Sequence, residues 1–314
     1  MGKVLTGAVI LAAAAAAAVA GITAYFYKRT MKRSRARTER TMKMSGTDWT
    51  QYMPMMRERR AWMEAQPHED VWLRSKDGLK LHGTYFPGEE GKKAVICFHG
   101  YTSRGMDDYV GLSAYYLKHG FRMLLVDERA HGDSEGEYIG FGCLDRFDGM
   151  QWVRWMIGKA GRDAEILLHG TSMGASTVLM MTGLLLPGQV KGVVSDCAFT
   201  SPREVFNHVL HSMYHMPAFP LIPLADRINR KKAGYGLDTC NAAREVRRAK
   251  IPALLIHGDR DTFVPCGMCD VIYENYAGPK TKKIFHGAGH AESYYKDPAA
   301  YEQALDTFTE GIIK

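Results

Sequence analysis

The chain has 314 residues, 46% hydrophobic and 24% charged, with a formal net charge of +7. That length and apolar content allow one large globular domain plus an appendage. The positive charge is local: residues 28–40 hold seven Lys/Arg and one Glu, leaving the remainder near +1, which argues against a nucleic-acid surface.

Val4–Tyr27 carries no charge over 24 residues. As a helix it spans about 36 Å, enough for a ~30 Å hydrocarbon core. An uncleaved single-pass cell-membrane anchor is the first reading. A signal peptide cut after Ala18-Val19-Ala20 is the alternative. The basic cluster from Lys28 onward favours an anchor with the body in the cytoplasm, because Lys/Arg beside a span stay inside. The same cluster is suited to anionic lipid headgroups. Residues 42–66, with Trp49, Met53, Met56 and Trp62, predict a helical connector. The expected organisation is an anchor over 1–27, a basic juxtamembrane segment and connector over 28–69, and a catalytic-type domain over 70–314.

From residue 70 onward, short apolar runs alternate with helical patterns. Strands are expected at 70–74, 79–85, 94–98, 121–126, 165–169, 190–195, 252–257 and 281–285, the first two joined by a turn at Lys76-Asp77-Gly78. Helices are expected near 105–118, 145–158, 174–186, 266–276 and 298–312. The pattern implies an α/β fold: a mostly parallel central sheet covered by helices on both faces. There is no internal repeat, Walker A loop or G-x-G-x-x-G. Residues 200–248 interrupt the alternation and carry Phe206, Met213, Tyr214, Met216, Phe219, Leu221 and Ile222 among three prolines, which predicts an apolar helical insertion with a buried face.

Gly170-Thr171-Ser172-Met173-Gly174 stands between a predicted strand and a predicted helix. This is G-x-S-x-G, the nucleophile elbow of a serine hydrolase. The glycines answer a steric demand, since side chains there would strike the adjoining elements. Ser172 is the expected nucleophile. In the chain order Ser, acid, His, Asp261 follows the penultimate strand and is the expected acid, with Asp196 as the alternative. His290, in the loop Gly287-Ala288-Gly289-His290, is the expected base. Asp259 is read as a turn brace, and His99, His169 and His257 as packed strand-end residues. The expected oxyanion donors are the backbone N–H groups of Met173, after the nucleophile, and Tyr101, after the strand ending Phe98-His99-Gly100.

These motifs together resemble the α/β-hydrolase superfamily. A further loop, Asp127-Glu128-Arg129-Ala130-His131-Gly132-Asp133-Ser134-Glu135-Gly136, is similar to its D-x-R-x-x-G-x-S-x-G segment. It departs from the common pattern at Ala130, where many relatives carry Gly. The resemblance covers about residues 70–314 and is nearest to membrane-anchored bacterial proteins of the prolyl-oligopeptidase-like and esterase-like branch. It implies the α/β-hydrolase fold with a lid insertion at about 200–248, and a structural role for Asp127, Arg129 and His131.

The expected activity is hydrolysis of a carboxylic ester or thioester with an apolar acyl group, through an acyl-enzyme. A peptidase or aminoacyl hydrolase, and a non-catalytic binding protein on the same fold, are the alternatives. No cofactor and no metal are expected. The expected partners are a small-molecule or lipid-like substrate and the membrane, not nucleic acid. Cys266 and Cys269 form a C-x-x-C without a second pair nearby, and are read as structural.

Overall fold

The computed structural model describes residues 2–33, 46–88 and 91–314. Much of the basic cluster, residues 34–40, lies outside the described residues. Eight strands form one sheet: β1 Glu69–Arg74, β2 Lys80–Phe86, β3 Lys93–Phe98, β4 Arg122–Val126, β5 Glu165–Thr171, β6 Val190–Asp196, β7 Ala253–Gly258 and β8 Lys280–Phe285. Their order is β1-β2-β4-β3-β5-β6-β7-β8. The β1–β2 and β2–β4 pairs are antiparallel, and every other pair is parallel.

The inner parallel strands are near-continuous apolar runs because helices cover both faces, whereas the edge strand β8 carries Lys280, Lys282 and Lys283. Period-2 alternation then divides each strand between two cores. In β3, Ala94, Ile96 and Phe98 join one cluster, while Val95 and Cys97 join the other. The predicted helix over 105–118 is broken, into α3 Gly105–Asp108 and α4 Ser113–Lys118. The remaining body helices are α5 Asp145–Ala160, α6 Met173–Met181, α10 Gly267–Asn275, α11 Ser293–Lys296 and α12 Pro298–Glu310.

Between β6 and β7 the chain forms α7 Pro202–Tyr214, α8 Leu221–Lys232 and the short α9 Ala242–Glu245. At the N-terminus, α1 runs from Gly2 to Met31, four residues beyond the expected end of the span. Its alanines are strong helix formers, and Lys28 and Arg29 sit where the helix dipole favours cations. Thr6 and residues 8–18 are exposed, whereas Thr23, Tyr27 and Met31 are buried against the body. Among the described residues, α1 is the one helix long and apolar enough to cross a membrane. The connector is a 3-10 turn, Trp49–Tyr52, followed by α2 Met53–Glu64. Met63 on α2 is fully buried.

Candidate active site

Ser172 joins β5 to α6 with φ 54° and ψ −109°, a conformation that L-residues rarely adopt. Three backbone bonds hold it there. Ser172 N–H donates to the Asp196 carbonyl of β6 (2.8 Å), Gly174 N–H to the His99 carbonyl beyond β3 (3.0 Å), and Ser176 N–H to the Ser172 carbonyl (3.0 Å). The flanking glycines have no room for a side chain. A Cβ on Gly170 would lie 2.2 Å from the Gly174 carbonyl oxygen, and one on Gly174 would lie 2.0 Å from that of Phe98.

Ser172 Oγ is 2.8 Å from His290 Nε2. His290 Nδ1 is 2.7 Å from Asp261 Oδ2. Asp261 follows β7 and His290 follows β8, so both partners come from loops at the same sheet end as the elbow. Asp261 Oδ1 accepts the N–H groups of Phe263 (2.9 Å) and Val264 (2.8 Å), which fixes the carboxylate plane. Burial alone would raise the Asp261 carboxyl. The charges of His290 and His257, with the hydrogen bonds from both rings, outweigh it and hold the group well below the usual carboxylate range. His257 Nε2 lies 3.3 Å from Asp261 Oδ2 and 2.9 Å from the Val264 carbonyl oxygen.

Asp196 stands elsewhere. It accepts from the hydroxyls of Ser293 (3.2 Å) and Tyr301 (3.2 Å), not from His290. Burial pushes its carboxyl up to about 6. Its backbone carbonyl, rather than its side chain, serves the elbow.

Met173 is the first residue of α6, so its N–H has no acceptor within the helix. Across from it, a Cβ on Gly100 would lie 3.4 Å from Ser172 Cβ, which brings the Gly100–Tyr101 backbone against the serine. Gly100 N–H is taken by Asp108 Oδ2 (2.6 Å), a role that nothing in the sequence signals. The Tyr101 N–H comes next along this backbone.

The remaining polar residues mostly satisfy one another. Asp259 accepts Gly287 N–H (2.7 Å) and meets His286 Nδ1 (2.9 Å), bracing the His290 loop. His99 Nε2 accepts Glu128 N–H (2.9 Å), and His169 is fully buried between the Tyr116 and Tyr301 hydroxyls. Asp127 accepts the N–H groups of Gly105 and Asp133, and Arg129 pairs with both Asp77 and Asp148. His131 Nε2 accepts Thr102 N–H. Ala130 has φ 62°, the left-handed region that the more usual Gly would adopt without strain. Cys266 and Cys269 are free thiols.

The sequence reading missed the connector's part. Thr47 Oγ1 donates to the His290 carbonyl (3.0 Å), and Tyr52 donates to Glu292, whose other oxygen accepts Gly289 N–H. It also missed the make-up of the pocket. An apolar cavity of about 210 Å³ reaches Ser172 and is walled by α7, α8, Phe263 and the end of α1. Met213 and Phe219, expected in a lid, are not in its lining, and Phe219 is 77% exposed.

Residues 93–236 match a family model described as the alpha/beta hydrolase fold. The chain is 27% identical to the uncharacterized protein YqkD of Bacillus subtilis over 237 residues, 75% of this chain and 77% of that protein. It is 25% identical to the lysophosphatidylserine lipase ABHD12 of Danio rerio over 224 residues, 70% of this chain and 54% of that one. Among solved structures, the Pyrococcus furiosus esterase Pf2001 superposes with a TM-score of 0.64 at 22% identity, covering 80% of this chain and 93% of that one. A likeness at that identity speaks for the fold. The strand order, the matched family model and these relatives agree that this chain has the α/β-hydrolase fold.

Proposed function

We propose that the protein is a membrane-tethered serine hydrolase that cleaves a carboxylic ester or thioester with an apolar acyl group. The observation that carries this reading is the unbroken Ser172–His290–Asp261 hydrogen-bond chain opening on an apolar cavity. In this reading Ser172 Oγ attacks the acyl carbonyl and His290 Nε2 takes its proton. The Met173 and Tyr101 N–H groups hold the oxyanion. His290 then returns the proton to the departing alcohol or thiol, leaving the acyl group on Ser172. Water attacks that acyl-enzyme, His290 takes its proton and returns it to Ser172 Oγ as the acyl–oxygen bond breaks, and the free acid leaves. Asp261 keeps the imidazole oriented and stabilises its charged form.

The esterase among the structural relatives and the lipase among the sequence relatives support ester chemistry. The reading makes α1 an anchor and residues 200–248 a lid. The Lys/Arg cluster that follows α1 supports a cytoplasmic body. A fluorophosphonate probe and a series of p-nitrophenyl esters, beside thioesters and aminoacyl amides, test it. Labelling of wild type, its loss in Ser172→Ala, and ester turnover are expected. Full labelling of Ser172→Ala would overturn the assignment.

A further inference from the structure

The helix that reads as an anchor is also part of the pocket. Thr23, Phe26, Tyr27, Arg29, Thr30 and Met31 of α1 line the cavity that reaches Ser172. Opposite them stand α7 and α8; Phe26 packs edge-on against Tyr214 at 4.9 Å. This end of α1 is tied down by polar bonds. Tyr27 donates to Asn229 (3.2 Å), Tyr101 to the Thr30 carbonyl (3.1 Å), and Ile139 N–H to the Met31 carbonyl (2.9 Å). Arg33 reaches the carbonyls of Gly132 and Ser134.

The geometry sets the membrane close to the cavity. The part of α1 before Val19, the first residue that packs against the body, extends about 25 Å from Gly2, a little short of a ~30 Å hydrocarbon core, so the docked end begins at the edge of the lipid. Tyr25, 57% exposed, then falls at headgroup level, where tyrosine is favoured. Tyr27, near the end of α1, bonds to Asn229 near the end of α8, while Thr23 shares the cavity with Leu221 and Ile222 at the start of α8. The two helices therefore run parallel. The start of α8, and the exposed Phe219 beside it, lie toward the lipid-crossing part of α1.

Resting on the serine-hydrolase reading, we propose that the docked end of α1 is a wall of the acyl pocket. The substrate is then a single-chain acyl amphiphile drawn from the leaflet that α1 enters. A cavity of about 210 Å³ is below the roughly 300–1,000 Å³ of drug-sized sites, with room for part of one acyl chain and less for a second. Arg29 is the only charged side chain among the residues lining it, so the head group it meets is anionic or neutral.

The test uses the full chain in phosphatidylcholine vesicles, with free-acid release as readout. Oleoyl-lysophosphatidylglycerol placed in the protein's own vesicles should be cleaved at least about tenfold faster than dioleoylphosphatidylglycerol, and about tenfold faster than the same lysolipid supplied in separate vesicles. Phe26→Ala should move the preferred p-nitrophenyl ester to longer chains, and Thr23→Leu to shorter ones, with the outward Tyr25→Ala as the control. An unchanged chain-length profile in both variants, with fluorophosphonate labelling intact, would overturn the role of α1. Equal rates from the two vesicle arrangements, or equal cleavage of the diacyl lipid, would overturn the substrate class and its route. Failure of the underlying hydrolase reading looks different: wild type itself takes no label.

Discussion

The Tyr101 hydroxyl donates to the carbonyl oxygen of Thr30, 3.1 Å away in the last turn of α1. A helix leaves its final carbonyls without intrahelical partners, and here a side chain from the body satisfies one of them. The same residue lines the cavity that reaches Ser172 and follows Gly100, where an added Cβ would lie 3.4 Å from Ser172 Cβ. One residue thus joins the far end of an N-terminal helix to the floor of the pocket.

Tyr101→Phe should loosen that joint. A hydrogen bond of this kind contributes about 0.5–1.5 kcal/mol. The expected outcome is a small drop in Tm and faster tryptic cleavage within Lys28–Arg33. Protection equal to wild type would mean that the other ties carry the docking.

Asp261→Asn should lower kcat by roughly 10⁴, the scale seen when a triad carboxylate is neutralised. Asp196→Asn should cost less than about tenfold, because its side chain bonds to Ser293 and Tyr301 instead. Steady-state kinetics on one ester decides it, and the opposite ranking would move the acid to Asp196.

The two carboxylates also predict opposite pH behaviour. Asp261 has its folded value depressed, so its contribution to stability is present above its ordinary value of 3.8 and is lost as the pH falls below that. Asp196 has its folded value raised from 3.8 to about 6, so the folded state holds a proton that the unfolded state releases. The contribution of Asp196 itself to stability therefore falls, by up to about 3 kcal/mol, as the pH rises from 4 to 7, on top of the same trend from Asp145 and the opposite trend from the buried His131 and His169, whose values are lowered to about 3. In Asp196→Asn that loss should vanish. Denaturant titrations of both proteins at several pH values check it, and parallel curves would contradict it.

Gly174→Ala should destabilise the fold by at least about 3 kcal/mol, or prevent soluble expression. The added Cβ would meet the Phe98 and His99 carbonyl oxygens, both fixed backbone. Gly158→Ala, on α5 with open space around the same atom, should be neutral or slightly stabilising. Comparable losses in the two variants would show that the elbow tolerates the contact.

The alternation of apolar runs and helical patterns was enough to read the sheet, because buried parallel strands must be apolar along their whole length. The elbow was legible for a local reason: a turn from β5 into α6 at φ 54° leaves no room at Gly170 and Gly174, so the constraint is written in adjacent residues. His290 and Asp261 were legible through chain order, since the strand ends that bring them to Ser172 follow one another along the sheet. Asp196 remained an alternative acid in the sequence because it too ends a strand, and only the direction of its carboxylate, toward Ser293 and Tyr301, sets it apart. The parts played by Asp108, Thr47 and the end of α1 had no signature. Each acts on residues far away in the chain, and nothing in residues 23–31 distinguishes the exposed face from the face that meets α8. Periodicity marks a helix as apolar; which surface covers it is decided by where the folded body places its own apolar face.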